Sequence, residues 1–451
     1  MRYRGNPRAR NGERGVTMII VVIAMMSMLA MVALAVDVIT LYAARSEAQR
    51  AADAAALAAG KMLVDAGVTG DPTLINPTVQ STALTLATQA AQSVAGQSTI
   101  AGRPIAVADV AVTFPNSGTA SFGINPTVNV VVQNTNLPTF FARIWSRAAL
   151  TVRATATAEG FNPSNSQALN GGIGVPVIAR GVKPFLLPNC DPVNASNPGS
   201  PCGAGNPTFF NAATGAITNP GLAPTGIIGE TFNVSSACQG AGPGCTPGAP
   251  TAGQYYPAAL PTAPDACPST CGGGTNFETD IECSNPSPIS CSNTVPTAPI
   301  VDSLSLDGTV FPEGGGGPAQ SGVECLIHQT GGSGMDTLTT PITYPLLIQV
   351  GNDNPARSPS LSANDYITTS DSLVTVPVYD GTLIPPTTTP GVKIIGFLQL
   401  FIVRAWPGGG GPKAGSFDVT IVNVSGCGSG ATAAPVYTGN ASAVPVRLIH
   451  R

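Results

Sequence analysis

The sequence predicts an α+β protein. It has a single N-terminal transmembrane helix continuing into a long amphipathic helix, then a small α+β unit, then a Gly/Pro-rich, disulfide-stapled, β-rich body of sandwich-like type. Three observations carry this. Residues 16–36 are an uncharged apolar run, which passes without an intervening Pro or Gly into an alanine-rich segment ending near Gly67. Nine of the ten cysteines fall in residues 161–345, among long Gly, Pro, Asn and Ser stretches. Short runs of β-forming residues separated by turn residues fill the last hundred positions.

The apolar run VTMIIVVIAMMSMLAMVALAV has 21 residues. At ~1.5 Å per residue it matches the ~30 Å of a bilayer core, where a backbone must satisfy its own hydrogen bonds as a helix. Arg2, Arg4, Arg8, Arg10 and Arg14 precede it against one acid, Glu13, and Asp37 follows at once. The positive-inside bias puts the basic tail, residues 1–15, in the cytoplasm and the bulk of the chain outside. Ala33-Leu34-Ala35 has the small-x-small form of a signal-peptide cleavage site. The run exceeds the ~7–15 residues of an ordinary signal core, and the helical pattern continues through the cut, so the reading is an uncleaved anchor.

Beyond Asp37, Leu41, Ala44, Ala48, Ala52, Ala55 and Ala59 recur at three- and four-residue spacing and form a flat stripe of small residues. Such a stripe lets another helix approach closely, which makes Ala44, Ala48, Ala52, Ala55 and Ala59 a candidate helix-packing interface. The alternative is a helix packed on its own domain. Arg45, Glu47, Arg50 and Asp53 lie off the stripe, with i,i+3 charge pairs worth a few tenths of a kcal/mol each.

The stretch from Glu13 to Gly67 resembles the N-terminal segment of TadE/TadG-like proteins of the Flp (Tad) pilus assembly machinery. There an Arg-Gly pair opens a membrane helix, an Asp closes it, and a Tyr-x-x-Arg-x-x-x-Gln-x-x-Ala-Asp-Ala-Ala-Ala-Leu-Ala run follows. The matching residues are Arg14, Gly15, Asp37, Tyr42, Arg45, Gln49, Ala52, Asp53, Ala54, Ala55, Ala56, Leu57 and Ala58. The resemblance extends to about residue 160. It implies a membrane-anchored, pilin-like or assembly component of the bacterial inner membrane, single-pass, with the bulk periplasmic or extracellular. Its implied partners are inner membrane lipid and other pilus assembly proteins, reached through the N-terminal helix. A prepilin leader would place Glu five residues after a cleaved Gly, whereas Ile20 stands there counted from Gly15 and Thr17 counted from Gly12. Processing by a prepilin peptidase is therefore not expected.

Residues 37–160 form the small pilin-like α+β unit. A second helix is expected over 80–96, with Ala83, Leu84, Leu86, Ala87, Ala90 and Ala91 on one face, followed by strands over 105–114, 127–133 and 148–158. Phe140, Phe141 and Trp145, near a strand start, read as core.

Charged residues make up only 10% of the chain, against about 25% in a typical globular protein. Without the basic tail, 15 basic and 23 acidic residues remain, so nucleic acid is not expected as a partner. On the predicted outer side, Cys190, Cys202, Cys238, Cys245, Cys267, Cys271, Cys283, Cys291, Cys325 and Cys427 read as disulfide cysteines. Their connectivity is open, with Cys238/Cys245 and Cys283/Cys291 as candidate local staples. No Cys-x-x-Cys pair occurs and His328 and His450 are the only histidines, so these residues are not read as a zinc site. In FETDIEC, Glu278, Asp280 and Glu282 would share one face of a strand, either solvated or inviting a cation such as Ca²⁺.

Residues 346–451 read as a β-rich C-terminal domain, with strands over 344–350, 372–379, 392–405, 417–424 and 444–449. The run KIIGFLQLFIVRAW is apolar at nearly every position, as expected of a central strand buried on both faces. Phosphate-binding, nucleophile-elbow, metalloprotease and dinucleotide motifs are absent, so neither an enzyme nor a cofactor is expected. The sequence reads as a structural, membrane-anchored component of Flp/Tad-type pilus assembly. The competing reading is a membrane-anchored or secreted adhesin carrying the same type of anchor.

Overall fold

A computed structural model describes residues 11–71, 77–138, 149–165, 172–195, 201–203, 205–237, 248–265, 267, 274–291, 300–308, 317–329, 334–352, 354, 365–367, 369–388, 391–407, 413, 415–430, 433–438 and 442–449. Phe140, Phe141, Trp145, Cys238, Cys245, Cys271 and His450 lie outside these residues. The chain divides into two compact units. One comprises Met1–Ala55, Ala91–Val112 and Val130–Ala156, the other Ala56–Ala90, Thr113–Asn129 and Thr157–Arg451.

Helix α1 runs unbroken over Asn11–Asp65, 55 residues and about 80 Å at ~1.5 Å each. It stops because Gly67 adopts a left-handed conformation at φ 77°, closing the last turn with Gly67 N–H donating to Val64 O at 2.9 Å. A 3₁₀ turn, Val68–Gly70, follows. Helix α2 spans Pro77–Gly96, and its fully buried positions, Ala83, Ala87, Ala91 and Ala95, recur every four residues. This strip is narrower than the face expected from the sequence, since Leu84, Leu86 and Ala90 are only half-buried.

The strands expected in this region form one four-stranded sheet, in the order Val446–Leu448, Ala149–Gly160, Thr127–Pro138, Val110–Thr113. The expected 105–114 strand begins only at Val110, because Val107–Asp109 make a 3₁₀ turn. The Val446–Leu448 strand pairs antiparallel with the far end of Ala149–Gly160, in the register Val446↔Gly160 and Leu448↔Ala158. Arg447 fixes that register from the side. Its guanidinium donates to Glu159 Oε1 at 2.5 Å and lies 4.5 Å over the Phe161 ring.

In the second unit the β-rich body closes on itself. Strand Val392–Ala405 pairs with Leu373–Tyr379, then come Phe185–Pro188, Gln254–Pro257, Thr231–Ser236 and Phe417–Gly426, and the last pairs back onto Val392–Ala405. Two of these six pairings are parallel: Leu373–Tyr379 with Phe185–Pro188, and Thr231–Ser236 with Gln254–Pro257. The sandwich-like expectation is thus replaced by a six-stranded ring, because strands from 161–345, short and hidden among Gly and Pro, insert between the long C-terminal ones. Closure removes the free sheet edges an open meander would present.

As expected, Val392–Ala405 is buried on both faces, with only Lys393, Val403 and Arg404 reaching solvent. Period-2 alternation splits adjacent ring residues between two apolar clusters. Phe185 and Leu187 join Tyr255 and Phe417 in one, while Leu186 joins Tyr256, Tyr379 and Phe397 in the other. Phe185 meets Tyr255 edge-on and Phe417 at a tilt, each with 4.9 Å between centroids. The expected 344–350 strand shrinks to Ile348–Gln349, since Pro345 brings no N–H to a ladder.

FETDIEC is not a strand but helix, Asn276–Glu282. Thr275 caps it, accepting Glu278 N–H at 3.2 Å, while the Glu278 carboxylate accepts the Thr275 N–H. Glu278 and Glu282 therefore share a helix face and Asp280 points elsewhere, into a buried bond from Asn285 Nδ2 at 2.7 Å. At the helix C-terminus the buried Lys183 Nζ donates to the carbonyls of Ile281 and Cys283, both at 2.6 Å. Burial pulls this lysine down to about 8.

The described disulfides are Cys190–Cys202, Cys267–Cys283 and Cys291–Cys427, and Cys325 is disulfide-bonded as well. The expected Cys283/Cys291 staple does not form. Cys283 caps the Asn276–Glu282 helix, whereas Cys291 sits in the strand Ile289–Cys291, which pairs with Val177–Ala179. Cys291 is tied instead to Cys427, which follows Phe417–Gly426 and lies 136 residues further along. Such a long loop gives a cross-link about 4–5 kcal/mol of stabilisation in the chain-entropy account. The double variant C291S/C427S is expected to lower unfolding free energy by about 2–5 kcal/mol in denaturant titration; an unchanged midpoint would show that this link is dispensable.

Candidate functional site

Three features of α1 bear on function: its bare apolar part, its covered alanine part and its anchored end. Among the described residues one helix is long and apolar enough to cross a membrane, by length and composition, and it is α1. Over the predicted span the large side chains face solvent, with Met18, Met25, Met28, Leu29 and Met31 each 60% exposed or more. Soluble surfaces rarely carry an apolar patch of this extent; where they do, it commonly marks a membrane or protein contact. Ala33 is buried within the span, and Asp37 is buried just beyond it.

The alanine stripe lies differently. Ala44, Ala48, Ala52, Ala55 and Ala59 are at most 1% exposed, so the chain itself covers this face. The polar flanks are engaged too. Gln49 Nε2 donates to Asp53 Oδ1 at 2.7 Å and to Thr155 O of the Ala149–Gly160 strand at 3.2 Å, and Glu47 accepts the Ala101 N–H at 2.7 Å. Further along, Gly60 permits close approach of strand to helix, because a Cβ there would stand 2.7 Å from Val446 Cγ1. Gly160 does the same from the strand side, facing Val64 Cγ2.

The end of α1 is held by buried polar groups that sequence reading missed. Asn423, in Phe417–Gly426, donates to Val64 O at 2.6 Å and to Gln399 Oε1 at 2.9 Å, and accepts from Thr69 Oγ1 at 3.0 Å. Gln399, in the neighbouring Val392–Ala405 strand, donates to Asp65 Oδ1 at 3.1 Å. Asp65 is also paired with Lys61. Asn162 Nδ2 bridges Thr69 O and Val424 O at 2.9 and 3.2 Å. Gln399, Asn423, Thr69 and Asn162 are fully buried. The available signal was a Gln and an Asn interrupting two otherwise apolar strands, since buried amides demand partners.

Chemically reactive arrangements are sparse among the described residues. No group of three or more His, Cys, Asp or Glu is placed to hold a metal. His328 ends a helix at φ 60° and meets Asp371 at 3.2 Å on the surface. A buried acid pair, Glu230 and Asp191, is bridged by Asn194 Nδ2, which donates to both at 2.7 and 2.8 Å. Burial, with Asp191 adding repulsion, pushes Glu230 up to about 7.

A long helix, bare and apolar toward its N-terminus and packed at its C-terminal end on a closed ring of strands, defines an α+β protein with one candidate membrane-spanning helix. Residues 15–62 match the family model Tad, described as putative Flp pilus-assembly TadE/G-like. The match lies within α1 and ends before residues 63–160, to which the resemblance was expected to extend. No curated protein and no solved structure matches the chain.

Asn423→Ala removes the second donor to Val64 O and the acceptor of the buried Thr69 Oγ1, so a loss of about 1–3 kcal/mol in unfolding free energy is expected by calorimetry or denaturant titration. Glu230 binds its proton more tightly folded than unfolded. The stability it supports is therefore complete below its ordinary 4.5 and is lost as pH rises through about 7. The thermal midpoint should fall across that window and Glu230→Gln should flatten the slope; equal slopes for the two chains would refute the assignment.

Proposed function

We propose that this protein is a membrane-anchored structural component of Flp/Tad-type pilus assembly, minor pilin-like or an assembly factor, in the bacterial inner membrane. Residues 16–36 cross the bilayer once, with the basic tail in the cytoplasm and the disulfide-bonded body outside. The observation that carries the reading is that the solvent-bare apolar part of α1 falls within the segment matching the Tad family. An oxidised body supports an outer location, because disulfides persist outside the cytosol. Other pilus assembly proteins meet the N-terminal helix within the membrane, on the exposed faces of residues 16–36. The alanine stripe serves the chain's own packing, and the ring of strands supplies an outer contact surface. No catalytic step is assigned to it.

Fractionation of cells making the full-length chain, with mass spectrometry of its N-terminus and a photocrosslinker at Leu29, tests this. An intact chain in the inner membrane, crosslinked to other pilus assembly proteins, is the expected result. Release of a shortened chain beginning at Val36 would overturn the anchor and make a secreted binding protein the better reading.

A further inference from the structure

Two residues of the Tyr-x-x-Arg run, Tyr42 and Arg45, take no part in the contacts that hold the rest of α1. Tyr42 is 71% exposed and Arg45 also faces solvent, although Gln49 and Asp53 a turn later are bonded internally. Both line a groove of about 410 Å³ between α1 and the Ala149–Gly160 strand, within the ~300–1,000 Å³ of ligand clefts. Val38, Leu41 and Val152 give the groove its apolar side, and Arg153 is a second arginine in its lining. No carboxylate lines it, and among the described residues neither arginine forms an ion pair. Two arginines without an ion pair beside an apolar wall suit a ligand with an anionic head and a hydrocarbon body.

The height of the groove along the helix narrows the choice. At ~1.5 Å per residue, Val38 stands about 3 Å and Arg45 about 14 Å beyond the end of the apolar run at Val36. The headgroup layer is roughly 5–8 Å thick on each side of a bilayer core. Helical side chains lean toward the N-terminus, so the Arg45 guanidinium reaches back toward that layer, and Tyr42 sits where interfacial tyrosines collect.

We propose that this groove binds the phosphate group of an anionic phospholipid, with Arg45 and Arg153 on the phosphate oxygens and Val38, Leu41 and Val152 against the adjoining glycerol and methylenes. The proposal rests on the membrane reading of α1. It gives the exposed Tyr-x-x-Arg pair a task that neither helix formation nor packing requires.

The test is native mass spectrometry of the full-length chain in mild detergent, titrated with phosphatidylglycerol or phosphatidylcholine, beside the variant R45Q/R153Q. Both arginines are exposed, and an unchanged melting temperature of the variant verifies its fold. The expected result is retention of phosphatidylglycerol over phosphatidylcholine, reduced at least about tenfold in the variant and unaffected by excess inorganic phosphate. Displacement by inorganic phosphate would assign the site to free phosphate and overturn the lipid. A chain found in the membrane fraction whose phosphatidylglycerol retention ignores both arginines would overturn the groove alone. A chain absent from the membrane fraction would overturn the anchor and the groove together.

Discussion

Everything outside the apolar segment depends on how the last turn of α1 is held. A helix end leaves carbonyls short of intrahelical partners, and here Val64 O, which takes the Gly67 N–H of the closing turn, gains a second donor in Asn423, a side chain from the β ring. Asn423 leans in turn on Gln399, and Gln399 on Asp65, so the helix end, two ring strands and the following turn form one satisfied polar cluster in a dry site. Removing one member costs more than a single hydrogen bond, because the others stay buried without water. The polar cluster thus specifies one seating for the helix, where a purely apolar contact would tolerate several. Gly60 and Gly160 allow that seating to be close, and the left-handed Gly67 turns the chain away once it is made.

The body solves a different problem. With few charges and long Gly/Pro stretches, it has few long β-forming runs from which to build a core. Closing six strands into a ring buries both faces of the longest strand and spares the sheet its edges. The cross-links act where strands alone are short: Cys291–Cys427 joins the Ile289–Cys291 strand to the end of a ring strand, and Cys267–Cys283 fastens the end of a two-turn helix. Lys183 completes that helix by donating to its last carbonyls, a neutralising role that burial would otherwise make costly.

Features governed by local pattern were legible in the sequence. The unbroken helix, α2 and the strand Val392–Ala405 follow from periodicity and composition, and both ends of Val392–Ala405 fall where the apolar run starts and stops. Thr275-x-x-Glu278 was a readable capping signal, overlooked because three alternating acids suggested a strand. What stayed illegible is non-local. Which cysteines meet, and that short strands near residues 185, 231 and 254 insert into the C-terminal sheet, depend on pairings across long loops that carry no periodic trace. Of the candidate site, the alanine spacing was visible at once, but not that the chain covers its own stripe. The groove at Arg45 needed Arg153 from a strand more than a hundred residues away.

The Asn423 contact also sets an order of events during synthesis. Its partner carbonyl at Val64 precedes it by 359 residues. The apolar segment is made first, whereas the ring cannot close until the Phe417–Gly426 strand has been made. For most of the time the chain is being made, Val64 O therefore has no Asn423 to meet and Cys291 no Cys427. A pairing this distant in sequence is slow to find, so the end of α1 is seated only after almost the whole chain is available.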